Sequence, residues 1–202
     1  MSAPACEFFY DFASPYSYLA AMRVDEVLPV RPVWRPVAFG VIVQRLGKVP
    51  WSFAEDRRAD LDEIARRGAA RGLPPLRYPH GWPRETYSLA PLRAAWVAEE
   101  ADLLRETSRE LFGAMFVDGE DLAELDTVLD AAERAGLQRD EVRAGIQRQE
   151  IKERLRTATD EALARGVTGV PTIAVGDALF WGDDRLEEAA AAAARRGERS
   201  DE

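Results

Sequence analysis

Cysteine occurs once in this 202-residue chain, at Cys6, and histidine once, at His80. A single cysteine excludes an internal disulfide, a Cys-x-x-Cys redox pair and a cysteine-rich metal centre. A metal site or a Ser-His-Asp triad would rest on His80 alone, so no metal is expected. Lysine is nearly missing as well: Lys48 and Lys152 are its two occurrences, and every other basic residue is arginine. That bias is the pattern of GC-rich coding, and it leaves open which thiol the cell contains. The net charge of −9 comes with no dense basic run, so no nucleic-acid partner is expected. No apolar stretch approaches the ~20 residues of a membrane span. The N-terminal MSAPACEFFYDF has neither a basic leader nor a long apolar run, so the expected location is cytoplasmic, with no membrane partner.

What is present fits a soluble globular protein: 47% hydrophobic and 31% charged residues, over a length that buries a sizeable core. Cys6–Phe12 (CEFFYDF) reads as a buried strand. From Tyr16 to Leu28 apolar residues recur at helical spacing until Pro29 stops them. Pro32–Val37 reads as a parallel strand whose prolines place it at an edge. Ser52-x-x-Glu55 forms a capping box ahead of a helix that ends near Gly72. Helical patterns then cover Ser88–Val117, Asp126–Ala135 and Asp140–Arg165. Val170–Val175, a Gly176-Asp177 turn and Ala178–Trp181 read as a β-hairpin, and Asp184-x-x-Glu187 caps a last helix. The order predicts an α/β protein: a thioredoxin-like fold with an all-helical domain inserted between its βαβ and ββα halves. The thioredoxin-like part is assigned to residues 1–40 and 166–202, and the helical insertion to 41–165.

The stretch Asp11–Ala20, DFASPYSYLA, is where chemistry is most legible. Ser14 followed by Pro15 fits N-cap then first helical turn, where proline's missing N–H costs nothing. The same place can hold a small anion, because free N–H groups and the positive end of the helix dipole converge there. A hydroxyl has one donor and two acceptor sites, so Ser14 can cap the helix and contact an anion together. Local sequence alone leaves both roles open.

Three motifs carry a resemblance. "FYDFASPYSYLA", the late "GVTGVPTIAVGDALFWGDDRLEEA" and the helical block between them resemble the 2-hydroxychromene-2-carboxylate isomerase and kappa-class glutathione transferase family, a branch of the DsbA-like thioredoxin-fold proteins. The resemblance implies a glutathione cofactor, or another low-molecular-weight thiol, with Ser14 hydrogen-bonding its sulfur. Ser14 and Ser17 stand where dithiol relatives carry cysteines, so disulfide exchange through them is impossible. The resemblance further implies a cis Val170–Pro171 bond whose backbone pairs with the cofactor, and Asp184 receiving the γ-glutamyl amine. Asp183, expected beside Asp184 among the cofactor-binding residues, stands where relatives often carry a smaller or neutral residue, so its charge is expected to weaken binding of the glutamyl carboxylate. Tyr16 and Trp181 are expected to wall an aromatic substrate, with Lys48 (or Arg45 or Arg57) holding its carboxylate.

The implied activity is a glutathione-dependent cis–trans isomerisation of an aromatic-derived conjugated keto acid. A kappa-like transferase, or a binding protein with a decayed site, are the competing expectations. Three departures from the family pattern, at Lys48, at Glu55–Arg57 and at Tyr87-Ser88, favour the decayed site. A homodimer is expected from the resemblance alone. Cys6 is expected to be a buried strand residue and His80 a surface residue of a proline-rich loop.

Overall fold

A computed structural model describes residues 6–198. Strand β1 (Cys6–Tyr10) lies inside a four-stranded sheet of order β2-β1-β3-β4. It runs parallel to β2 (Val33–Pro36) and antiparallel to β3 (Thr172–Val175), which forms a hairpin with β4 (Ala178–Trp181). β2 is the edge strand that its prolines required. Both faces of β1 are buried, which explains its unbroken apolar run. On one face Phe8 and Tyr10 meet Trp34, and Tyr10 reaches Phe112 in a helix of the middle region. On the other, Glu7 is 4% exposed and held by Arg35 and Arg165, whose guanidinium also lies over Phe9. Cys6 is buried, and burial pushes its thiol pKa up, as befits a structural cysteine.

Between β1 and β2 the sequence predicts one helix; the chain makes two. α1 (Pro15–Ala21) and α2 (Val24–Val27) are separated at Met22–Arg23, where the Arg23 guanidinium turns out to pair with Glu187. After β2 come α3 (Phe39–Arg45), a 3₁₀ turn at Trp51–Phe53 and α4 (Arg58–Ala70). The Ser52–Glu55 capping box does not form: Ser52 lies in the 3₁₀ turn, and α4 begins three residues beyond Glu55 without a side-chain cap. The Ser88–Val117 pattern divides into α5 (Leu89–Glu99) and α6 (Leu104–Gly113), and a π-helical turn over Ala114–Asp118 follows. Asp102 adopts φ 58° at the break, and an aspartate tolerates that left-handed geometry better than most residues. α7 (Leu125–Arg134) matches its prediction, whereas Asp140–Arg165 is α8 (Arg139–Gly145) and α9 (Gln149–Ala164).

The chain closes with the hairpin, a 3₁₀ turn at Asp183–Arg185 and α10 (Leu186–Glu198). The expected Asp184–Glu187 capping box is also absent. Among the described residues no hydrogen bond joins Asp184 to Glu187, which is drawn to Arg23 instead. The result is an α/β thioredoxin-like fold with helices α3 to α9 between its two halves. Among the described residues no helix is long and apolar enough to cross a membrane.

Candidate functional site

The turn from β1 into α1 is built by Asp11 and Ser14. Asp11 is 2% exposed; its Oδ1 accepts from the Ala13 N–H at 2.9 Å, and its Oδ2 from the Phe39 N–H at 2.8 Å and the Ser88 hydroxyl at 3.2 Å. One carboxylate thereby ties together the start of α1, the start of α3 and the residue before α5. Burial pushes its pKa up, opposed by those three hydrogen bonds. A raised folded-state pKa means that Asp11 stabilises the fold most below its unfolded pKa of ~4, and less as pH rises through the folded value. The stability advantage of wild type over Asp11→Ala is therefore expected to shrink from acidic toward neutral pH. Urea melts of both proteins at several pH values measure this, and an advantage that grows with pH would refute it.

Ser14 is the N-cap that the sequence indicated. Its extended backbone lets Oγ accept the Ser17 N–H at 3.1 Å, with Pro15 beginning the helix. Pro15 has no N–H and the Ser17 amide is taken, so the Tyr16 N–H is the first-turn donor left without a backbone acceptor. The two serines part company here. Ser17 is fully buried, its hydroxyl lacks a partner, and it does not reach the cleft. Removing an unsatisfied buried hydroxyl relieves its desolvation cost. Ser17→Ala is expected to stabilise the protein by about 1 kcal/mol, seen as a higher denaturant midpoint. An unchanged or lower midpoint would contradict this. Because α1 spans only seven residues, the helix-end field is that of a two-turn helix, smaller than the sequence implied.

Opposite Ser14 the chain enters β3 through a cis Val170–Pro171 bond. Ser14 Oγ lies 3.5 Å from the Val170 carbonyl oxygen, and the Pro171 carbonyl accepts from Gly182 at 2.9 Å, which joins the β3 entry to the end of β4. Gly169 sits directly beneath the Trp181 indole: a Cβ there would come within 2.3 Å of Nε1. Trp181 is 63% exposed and forms one rim of the cleft.

Asp183 behaves differently from expectation. It is 1% exposed, and its two oxygens are taken by Arg67 Nη1 at 2.7 Å, from the last turn of α4, and Arg71 Nη1 at 2.6 Å, from the residue that caps its C-terminus. Its charge is therefore neutralised from behind and adds no free repulsion to the cleft. Asp184, by contrast, has a side chain 58% exposed and only a 3.7 Å approach from Arg67 Nη2. Arg67 also bonds Glu63 at 2.7 Å and lies 5.7 Å from the centre of the Tyr16 ring. Burial, then the field of Asp60, pushes the Tyr16 hydroxyl pKa up to about 12, so it stays protonated at neutral pH.

These elements enclose a cavity of about 680 Å³ that gathers Ser14, Tyr16, Val170, Pro171, Trp181, Asp183 and Asp184. Its further half is apolar, formed by Phe39 and Val41 of α3 with Trp51, Phe53 and Leu89. Lys48 is not part of it, which corrects the expectation for that residue. α3 ends at Arg45, Gly47 turns the chain at φ 62°, and the Lys48 amide closes the turn on the Val43 carbonyl, leaving its side chain exposed. Arg45 pairs with Asp160, and Arg57 lies over Trp82 and bonds the Ser52 carbonyl; neither lines the cavity. Of the departing positions, Tyr87 and Ser88 do line it.

Sequence reasoning missed Asp11, Arg67 and Thr86. In sequence Asp11 reads as part of a strand. Arg67 lies one turn after Glu63 on α4 and four residues before the C-cap Arg71, a visible spacing that does not say what it faces. Thr86 lines the cavity with a buried hydroxyl that has no partner, a vacancy only the structure reveals. His80 is exposed and outside the cavity, as expected. Among the described residues no group of three or more His, Cys, Asp or Glu is placed to hold a metal ion.

Fold and site together define a thioredoxin-like protein with serines, Ser14 and Ser17, at the start of its first helix. Comparison with known proteins narrows this: the DSBA-like thioredoxin domain model matches residues 5–194, and the chain belongs to that family. It is 27% identical over 188 residues to a 2-hydroxychromene-2-carboxylate isomerase of Sphingobium xenophagum, covering 90% of this chain and 93% of that one. It is 28% identical over 197 residues to glutathione S-transferase kappa 1 of Rattus norvegicus, covering 90% and 87%. A solved 2-hydroxychromene-2-carboxylate isomerase has the same fold, with a TM-score of 0.81 at 21% identity over 96% of this chain and 97% of that one.

Proposed function

We propose that the protein is a glutathione-dependent isomerase of the 2-hydroxychromene-2-carboxylate type, acting on an aromatic-derived conjugated keto acid. The observation that carries this reading is the Ser14 hydroxyl, set across from the cis Val170–Pro171 bond at the base of a cavity whose outer half is apolar. The relatives named as isomerases and as glutathione transferases support an enzyme using a thiol.

The residues present fit such a cofactor. Asp184 offers an exposed carboxylate to an ammonium, the Thr86 hydroxyl lacks a partner, and the Ser14 O–H and Tyr16 N–H both reach the start of α1. When bound, glutathione supplies a thiolate that adds reversibly to a conjugated double bond, allowing rotation before elimination. Ser14 donates a hydrogen bond that favours the charged form of sulfur and lowers its pKa. Val170 aligns the cofactor backbone. Asp184 fixes the amine end, so the sulfur is held at one place relative to the apolar wall. Tyr16, protonated at neutral pH, can donate to negative charge developing on the substrate oxygen. Trp181 and Trp51 exclude water from the bound substrate.

Tryptophan fluorescence during glutathione titration, followed by thiol-dependent turnover of a ring-opened aromatic keto acid, tests the reading. Saturable quenching with turnover is expected; turnover absent at any thiol concentration would rule the isomerase out. A second reading, a conjugating transferase, draws on the kappa-class relative. It uses the same thiol geometry but releases the adduct, which product analysis distinguishes from an isomer.

A further inference from the structure

A second, smaller cavity of about 160 Å³ lies beside the first, and Ala38, Val41 and Leu89 line both. Three helix faces converge on it. Val41 and Arg45 are one turn apart on α3, Leu89 and Arg93 one turn apart on α5, and Lys152, Leu155, Arg156, Thr159 and Asp160 form a single face of α9. Thr159 fixes the junction, accepting the Ala38 N–H at 3.0 Å while donating to the Leu155 carbonyl at 2.8 Å.

The charge in this pocket is unbalanced. Four cations, Arg45, Arg93, Lys152 and Arg156, line it with one carboxylate, Asp160, and Arg156 is held besides by Glu153 at 2.8 Å, so the excess rests on Arg93 and Lys152. Asp160 is already shared by Arg45 at 2.5 Å and Arg156 at 3.1 Å. Arg93 and Lys152 have no ion-pair partner among the described residues, and Arg93 Nε is buried without a hydrogen-bond acceptor. A partly buried guanidinium with an unmet donor is costly to leave unpaired, and an oxyanion is the group that satisfies both its charge and its N–H geometry. The volume suits a carboxylate or phosphate group, not a larger head.

We propose that this pocket is an oxyanion subsite that receives the carboxylate of the acceptor substrate while its conjugated body rests on Val41 and Leu89 in the main cavity. The assignment rests on the proposed function, and it supplies the anion-holding role that Lys48 does not fill. It names the substrate class as aromatic acids, with their esters and amides excluded from this contact.

Calorimetric titration with cinnamate and with methyl cinnamate, a charged and a neutral molecule of nearly one shape, tests it at fixed ionic strength. Wild type is expected to bind cinnamate at least ~10-fold more tightly, worth about 1.4 kcal/mol. Arg93→Gln with Lys152→Gln is expected to abolish that preference. Lys152→Gln alone, a change on a helix surface that the fold tolerates, is expected to reduce it several-fold. Inorganic phosphate should compete with cinnamate. Equal affinity for acid and ester in wild type, or a preference that survives in the double variant, would overturn the subsite. Phosphate binding that disappears in the double variant without competing against cinnamate would overturn it too, making the pocket a free-anion site. Glutathione titrated into the same proteins reads the other hypothesis separately: failure to bind thiol removes the proposed function and leaves the acid–ester comparison standing.

Discussion

Asp183→Asn is expected to cost about 2–4 kcal/mol of stability, because removing one partner of a buried ion pair leaves the other charges uncompensated. Asparagine keeps the shape of the side chain but withdraws its charge from two guanidiniums held at the C-terminal end of α4. Arg67 retains Glu63, and both arginines are about one-fifth exposed, so solvent softens the loss and the lower part of that range is favoured. The link from α4 to the β4–α10 junction weakens at the same time, and Arg67 is freed from its position against the Tyr16 ring. Glutathione affinity should therefore fall along with the melting temperature. Asp184→Asn is the comparison that separates two adjacent carboxylates. Its side chain is largely exposed and makes a single long contact, so stability should change by less than about 0.5 kcal/mol, as at an ordinary surface position. Under the proposed function its loss of glutathione affinity should equal or exceed that of Asp183→Asn. If Asp183→Asn melts with wild type, the α4 clamp is not what holds the site together.

The sequence made the frame readable wherever one local signal was sufficient. The unbroken apolar run of β1, the prolines of β2 and the Gly-Asp turn of the hairpin each encode their own geometry, and all three are as expected. Ser14-Pro15 encodes an N-cap, and one formed. Caps that depend on a distant competitor failed. Glu187 completes a capping box on paper but meets Arg23 from across the molecule, and Ser52 is absorbed into a 3₁₀ turn before α4 begins. Long helical patterns were each broken where periodicity continued through a turn, as at Asp102, because the hydrophobic spacing of two consecutive helices can stay in phase. The site divides in the same way. The end of the cavity that gathers Ser14, Val170 and Pro171 comes from two contiguous motifs. Its charge balance comes from α4, α5 and α9, which sequence brings to no common place. Asp183 reads as repulsive in sequence because Arg67 and Arg71 lie more than a hundred residues away, and Lys48 reads as substrate-facing because no local signal shows that the turn at Gly47 carries it outward.

Ser14 substitutions are expected to separate capping from thiol chemistry, which no single replacement does. Ser14→Ala removes the acceptor for the Ser17 N–H and should cost about 1 kcal/mol of stability, the usual loss at an N-cap. Under the proposed function it also removes the hydroxyl donor to the thiolate, and thiol-dependent turnover should fall by roughly 100-fold, as for the loss of one preorganised donor to a charged reacting atom. A fall in turnover from Ser14→Ala alone is ambiguous, since a frayed α1 would also displace Tyr16. Ser14→Asp resolves it. Aspartate caps helices as well as serine does, so its stability should stay within about 0.5 kcal/mol of wild type. Its carboxylate, however, sets a negative charge beside the sulfur, opposing ionisation where Ser14 favours it. The bound thiol pKa, followed by thiolate ultraviolet absorbance against pH, should rise for Ser14→Ala and rise further for Ser14→Asp. A Ser14→Asp protein that folds like wild type yet fails to ionise its thiol assigns the chemistry to the hydroxyl. One that turns over normally reduces Ser14 to a cap and transfers the work on sulfur to the Tyr16 amide.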